Sequence, residues 1–145
     1  MPILSQRGRL ALAVVVDIAS TKDGPVRQRA LSRRHGLPTR HFEPLLQTLA
    51  RAGIVRGVRG PYGGYVMARV PRDISCAEVI RAVPHISEGR GSGAIPSTLD
   101  AAIMSAMDET ERAYFERLEQ ISIADLCDRA SAIGALHLIG AEGNP

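Results

Sequence analysis

The sequence predicts a mainly α-helical fold with one small β-hairpin and a long helix in its second half. Three patterns predict it: two short helical segments separated by Gly36-Leu37-Pro38, a glycine-rich strand–turn–strand segment directly after them, and a helical repeat of apolar residues over about 23 positions from Thr98. The first two together are typical of a winged helix-turn-helix. At 145 residues, the chain fits one such domain with a terminal extension.

Charge is divided unevenly along the chain. Residues 1–72 hold 13 Lys and Arg against 3 Asp and Glu, whereas residues 73–145 hold 5 against 12. A nucleic-acid-binding protein concentrates positive charge on one face, because the phosphates must be neutralised there. The first half is therefore predicted to bind double-stranded DNA, although two solvated surfaces of opposite sign would give the same composition.

The first helix is predicted from about Ser5, a suitable N-cap, to about Ser20. Its stretch 10–19 is apolar on nearly every side, which predicts burial against two surfaces, and the second surface could be a dimer partner. A second, short helix is predicted from Gln28 to about His35, and Gly36 should end it in left-handed geometry.

A third helix is predicted from Thr39 to Ala52, with one apolar face and one polar face. Pro44 requires this helix to begin late, near Thr39–His41, because proline is tolerated in the first turn but not in the interior. Its polar N-terminal edge is typical of a recognition helix that enters the major groove N-terminus first. The inward residues are Phe42, Leu45, Leu46 and Leu49, and the outward ones are Arg40, Glu43, Gln47 and Arg51.

The segment from Ile54 to Arg69 is predicted to form the wing, a β-hairpin with a basic tip. The β-branched and aromatic residues that favour strands are Val55, Val58, Tyr65 and Val66. The residues that favour a turn between them are Gly60, Pro61, Gly63 and Gly64, with Arg56 and Arg59 beside the turn.

The second half is predicted to be helical. Ser75 and Glu78 should form a capping box that opens a fourth helix ending near Val83. The domain boundaries are predicted as 1–83 for the winged helix-turn-helix, 84–97 for a mobile loop, and 98–140 for a long helix and a short terminal helix. A long helix needs a packing partner, which predicts a homodimer. Its repeating apolar residues are Leu99, Ile103, Met107, Tyr114, Leu118 and Ile121.

Residues 3–126 resemble the Rrf2 family of bacterial winged-helix transcriptional regulators. The resemblance is carried by the segments 4–9, 35–37, 42–43, 45–46, 52–55, 59–65, 79–83 and 123–126. It implies a dimer joined through the long helix that binds a roughly palindromic operator. In such a complex the recognition helices lie in successive major grooves and the wings lie in the flanking minor groove.

The resemblance also implies which residues contact DNA. It places Gln6 and Arg7 at a phosphate contact of the first helix, Thr39, Arg40 and Glu43 at base edges, and Arg59 with the tip Tyr62, Gly63 and Gly64 at the wing. His41 is predicted to be exposed and to face DNA. Three alternatives stay open: Arg40 as a phosphate contact only, Glu43 as a partner of the helix dipole, and Tyr62 packed across the hairpin.

The chain departs from the family at the cluster site that many members carry. The usual site uses three cysteines before the long helix, and residues 84–97 contain none. No iron–sulfur cluster, other cofactor or metal is therefore expected, and an unusual cluster site made by Cys127, a histidine and another chain is the open alternative. The two cysteines, Cys76 and Cys127, are expected to be small packed residues, with a redox-sensing thiol as the alternative for either.

The predicted function is that of a homodimeric, sequence-specific DNA-binding regulator, a repressor, with an unidentified small-molecule effector as a further candidate partner. The alternative from another class is a winged helix that binds proteins instead of DNA. No pattern of catalytic residues is present, so an enzyme is not expected. Two cysteines, no secretory signal and no membrane-spanning run predict a cytoplasmic protein.

Overall fold

Three helices, a β-hairpin and three further helices follow one another along the chain in a computed structural model that describes residues 4–84 and 96–134. The 3₁₀ turns Thr39–His41 and Pro71–Asp73 precede the third and fourth helices. The elements are α1 (Gln6–Ser20), α2 (Gln28–His35), α3 (Phe42–Arg51), β1 (Val55–Val58), β2 (Gly64–Met67), α4 (Cys76–Ala82), α5 (Ser97–Glu119) and α6 (Ile123–Ala132).

Helix α1 lies at the centre of the hydrophobic core. It packs against α4, α6 and β2, and its residues Ala11, Val14 and Val15 are fully buried. The prediction that α1 is buried against more than one surface is confirmed. Helix α6 of the same chain supplies a second surface, where the sequence had left a dimer partner as a candidate. The largest fully buried side chains elsewhere are Leu31, Phe42, Leu46, Leu49, Ile54, Ile74, Ile80 and Ile123.

The helix ends follow local capping chemistry. The Ser5 hydroxyl accepts a hydrogen bond from the Gly8 N–H at 3.0 Å and begins α1, and Gly36 ends α2 at φ 65°. The Ser75 hydroxyl caps α4 by accepting from the Glu78 N–H at 3.1 Å. The prediction of a full capping box is wrong, because the Glu78 carboxylate does not accept from the Ser75 N–H and instead forms an ion pair with Arg69.

A reciprocal capping box occurs at the start of α6 rather than α4. The Asp125 N–H donates to the Ser122 hydroxyl at 3.0 Å, and the Ser122 N–H donates to the Asp125 carboxylate at 2.9 Å. Hydrogen bonding of the carboxylate by the backbone N–H of Ser122, and then by its side chain, lowers the pKa of Asp125. Two backbone hydrogen bonds of 2.8 Å, Cys76 N–H to Ile121 O and Ile123 N–H to Ile74 O, join the start of α6 to the start of α4.

Helix α5 contacts the rest of the chain through its C-terminal end. Arg81 on α4 pairs with Glu119 at 2.7 Å and lies 4.6 Å from the centre of the Phe115 ring. The N-terminal four turns are exposed, and they present Leu99, Ile103 and Met107 at exposed fractions of 54%, 42% and 54%. Most of the loop predicted over 84–97, and residues 135–140 of the predicted terminal segment, lie outside the described residues. No described helix combines the length and the apolar character that a membrane crossing requires.

Candidate nucleic-acid interface

The recognition segment begins with the 3₁₀ turn Thr39–His41 and continues into α3. Its first side chains are exposed: Thr39, Arg40, His41 and Glu43. The opposite face holds the buried residues Phe42, Leu45, Leu46 and Leu49 and fixes the segment to the core. The segment therefore presents two basic side chains, a hydroxyl and a carboxylate in one exposed row, as the sequence predicted.

Pro44 is compatible with α3 because of where the helix starts. It is the third residue of α3, so its missing N–H belongs to the first turn, where the N–H groups have no intrahelical partner. The predicted late start is confirmed, since the three residues before Phe42 adopt the 3₁₀ conformation. The Thr48 hydroxyl donates to the Pro44 carbonyl at 2.9 Å.

The predicted wing is present as an antiparallel pair, β1 and β2, joined by the turn 59–63. Val55 pairs with Met67 and Val58 pairs with Gly64. Arg59 is exposed at the tip, and Tyr62 has an exposed fraction of 85%. The alternative that Tyr62 packs across the hairpin is therefore wrong, and its ring is free to contact a partner.

Two glycines of the wing are required by close approaches of backbone atoms. A Cβ on Gly63 would lie 2.2 Å from the Val58 carbonyl oxygen, and one on Gly64 would lie 2.6 Å from the Val26 carbonyl oxygen. Gly64 also has φ 153°, which other residues rarely adopt. The backbone packing accounts for both glycines, and their predicted contact with DNA stays a prediction.

Val26 joins the wing to the segment that precedes α2. Its N–H donates to the Tyr65 carbonyl at 2.9 Å, and its carbonyl accepts from the Tyr65 N–H at 2.8 Å. This isolated antiparallel bridge lies beside the two-stranded hairpin. The bridge thus fixes the part of β2 next to the turn to the segment that precedes α2.

The start of α1 presents the two residues that the resemblance assigned to a phosphate contact. Gln6 and Arg7 are both exposed in the first turn of the helix. Backbone N–H groups at a helix N-terminus and an adjacent arginine side chain are both suited to a phosphate. The predicted contacts of Gln6, Arg7, Thr39, Arg40, His41, Glu43, Arg59 and Tyr62 with DNA all stay predictions, and these eight residues are exposed.

A buried carboxylate whose role was not predicted from the sequence holds α1 against α2. Asp17 is fully buried, forms an ion pair with Arg34, and lies 3.0 Å from the Nε2 atom of His35. The signal in the sequence was a single acidic residue within an otherwise apolar helix. The partners are 17 and 18 residues away, so periodicity within α1 could not identify them.

The two thiols lie near α6. Cys76 is buried, and desolvation by burial, together with the nearby Asp125 carboxylate, raises its pKa to about 11. Helix N-terminal amides therefore do not make Cys76 a reactive thiolate, in agreement with the expected packed residue. Cys127 is half-buried and accepts a hydrogen bond from the Ser20 hydroxyl at 3.5 Å. In residues 4–84 and 96–134 no three His, Cys, Asp or Glu side chains are grouped so that they could hold a metal ion.

A family model described as an iron-dependent transcriptional regulator, Rrf2, matches residues 4–129. The chain belongs to the Rrf2 family. This confirms the resemblance seen in the sequence. The IscR regulator of Photobacterium profundum is 40% identical over 81 residues, which are 55% of this chain and 47% of that protein. The chain thus spans about half the length of this Rrf2 relative.

Two further comparisons cover most of the chain. A Synechocystis protein, slr0846, provisionally named an HTH-type transcriptional regulator, is 30% identical over 126 residues, 85% of this chain and 86% of that protein. The structure of T. potens IscR aligns with a TM-score of 0.69 at 31% identity and covers 89% of this chain and 88% of that chain. The predicted fold class is confirmed, and these relatives are named as regulators rather than enzymes.

Proposed function

We propose that this Rrf2-family chain is a sequence-specific DNA-binding transcriptional regulator. The observation that carries the proposal is the joint exposure of two segments that hydrogen-bond to the start of α2: Thr39–His41 with Glu43, and the wing tip 59–62. The two segments are anchored to one core, so they can bind one duplex together. Arg40 can donate to guanine or a phosphate, Glu43 can accept from cytosine N4, and Arg59 can enter a narrow minor groove.

Binding as a homodimer to a roughly palindromic operator is part of the proposal. The exposed apolar residues of α5 recur at spacings of four along one face, and a second copy of the same helix would cover them. Two-fold symmetry of the protein would then be matched by symmetry of the operator. We further propose repression, since a dimer that covers an operator excludes other proteins from the same DNA.

The proposed regulator works without an iron–sulfur cluster. A cluster takes thiolate or occasional imidazole ligands, usually four. The whole chain holds two cysteines, none of them within 84–97, and Cys76 keeps its proton because its pKa is raised. The donor set therefore does not fit the iron dependence in the family description. Anaerobic treatment with iron and sulfide should produce no visible thiolate-to-iron absorption, and its appearance together with altered DNA affinity would refute this part.

The experiment that tests DNA binding starts from genomic fragments recovered by affinity selection with the full chain. Fluorescence anisotropy on a recovered fragment should show that Arg59→Ala binds about 5- to 150-fold more weakly than the unaltered chain, as expected for loss of a groove contact worth about 1–3 kcal/mol. Arg112→Ala is the matched control, because Arg112 is an exposed arginine on α5. Failure to enrich any fragment, or equal effects of the two substitutions, would count against the proposal.

A further inference from the structure

Two consecutive residues at the start of α2 reach the two exposed segments of the interface. The Arg27 guanidinium, through its Nη2 atom, donates a hydrogen bond to the Pro61 carbonyl in the turn of the wing. The Gln28 side-chain amide, through its Nε2 atom, donates to the Thr39 carbonyl at 2.8 Å. One residue therefore contacts the wing tip and its neighbour contacts the recognition segment.

The two acceptor carbonyls, of Pro61 and Thr39, belong to backbone segments that carry residues proposed to contact DNA. A small shift of either segment would therefore move those residues. Pro61 directly precedes Tyr62 and lies two residues after Arg59 in the turn that joins β1 to β2. Thr39 opens the 3₁₀ turn, and its carbonyl also accepts from the Phe42 N–H, the first amide of α3. A hydrogen bond to either carbonyl thus restrains a backbone segment that carries exposed side chains.

The wing tip extends beyond the backbone hydrogen bonds that hold the two strands and the bridge to Val26. The bridge between Val26 and Tyr65 fixes the beginning of β2, and the Gly63 N–H closes the turn by donating to the Gly60 carbonyl at 2.9 Å. The remainder of the tip is exposed. A side-chain tether from Arg27 to Pro61 adds a restraint between the tip and α2 that the hairpin itself does not supply.

We propose that Arg27 and Gln28 are positioning residues that set the distance between the wing tip and the recognition segment. This distance would set the spacing, along the operator, between the minor-groove site of the wing and the major-groove site of the recognition segment. The inference rests on the proposed DNA-binding function for its consequence, but the tether itself is a property of the free protein. Arginine suits this role because its planar head carries five N–H donors on a long side chain.

Amide hydrogen exchange on the free protein tests the tether without DNA. Arg27→Met should accelerate exchange of the Gly63 amide about 2- to 10-fold, the range expected for loss of one hydrogen bond. Gln28→Met should do the same for the His41 amide, which closes the 3₁₀ turn. Arg33→Met is the charge-matched control, since Arg33 is exposed on α2. Unchanged local rates, or uniform acceleration over the whole chain, would overturn the proposal.

A double-mutant cycle on the selected DNA fragment separates positioning from direct contact. Arg27→Met should weaken binding about 3- to 10-fold in the unaltered chain but less than about 2-fold when Arg59 is already alanine. Arg27→Lys should restore most of the affinity, because an ammonium group can donate to the same carbonyl. Additive effects would mean that Arg27 contacts DNA independently and would refute the positioning role. If no variant or unaltered chain binds DNA, the proposed function fails, while the exchange data still decide whether the tether exists.

Discussion

Asp17 is the single buried charged side chain among residues 4–84 and 96–134, and its burial has a measurable consequence for stability. Its carboxylate is paired with Arg34 and lies 3.0 Å from His35. Removing one partner of such a pair leaves the other charge partly buried without compensation, which costs more than the pair itself contributes.

Asp17→Asn is therefore expected to lower the free energy of unfolding by about 2–4 kcal/mol, while keeping nearly the same side-chain shape. Urea unfolding, monitored by circular dichroism, measures this free energy. Asp23→Asn is the control, since Asp23 is an exposed carboxylate in the loop after α1. Equal losses for the two variants would show that the buried pair contributes nothing beyond net charge.

Cys76 gives a prediction on pH dependence. Its pKa is about 11 in the folded chain against 9.0 for an ordinary thiol, so the folded state keeps a proton that the unfolded chain releases above pH 9. The contribution of this thiol is fully present below pH 9 and is lost as the pH rises toward 11. Between pH 8 and pH 10, the unaltered chain should lose about 1 kcal/mol more stability than Cys76→Ala. Parallel losses would contradict the burial of this thiol.

At the scale of the element, the wing depends on residues that cannot carry a side chain. Gly64→Ala should lower the free energy of unfolding by about 1–3 kcal/mol, because the new Cβ would meet the Val26 carbonyl and separate the bridge to Tyr65. Gly57→Ala in β1 is the matched control, since its Cβ would meet only the Tyr65 ring at an ordinary 3.8 Å. Thermal unfolding compares the two, and a larger loss for Gly57→Ala would contradict the geometry of the hairpin.

The elements that sequence predicted best are those with local signals at their ends. Ser5, Gly36 and Pro44 fix the limits of α1, α2 and α3 through capping, left-handed geometry and first-turn tolerance, all of which act within four residues. The hairpin likewise follows from alternating strand residues around glycines. Predictions that needed a distant partner were weaker: the Glu78 carboxylate binds Arg69, nine residues away, rather than the N-cap of its own helix.

The residues of the candidate site also divide into those predicted from local signals and those that depend on a distant partner. The exposure of Arg40, Glu43 and Arg59 could be predicted from helical periodicity and turn chemistry, because both are local. The tether from Arg27 to Pro61 joins residues 34 positions apart and becomes visible only in the folded chain. Whether the exposed side chains contact DNA depends on a partner that the sequence of the protein does not contain.

At the scale of the whole molecule, the exposed apolar face of α5 predicts self-association. Ile103→Glu should convert a homodimer into a monomer, because a charge would be buried at the centre of the helix pair. Ser105→Glu is the control, since Ser105 lies on the opposite face of the same helix. Sedimentation equilibrium measures the mass of each variant. A dimer that survives Ile103→Glu would assign the contact to another surface.

The salt dependence of DNA affinity tests the central claim most directly, that the basic first half of the chain binds duplex phosphates. The affinity for a selected fragment should be measured by fluorescence anisotropy over a series of salt concentrations. If the claim holds, the logarithm of the binding constant falls linearly with the logarithm of the salt concentration, with a slope of about −0.9 for each phosphate neutralised and a shallower slope for Arg59→Ala. A slope near zero, unchanged by that substitution, would contradict it.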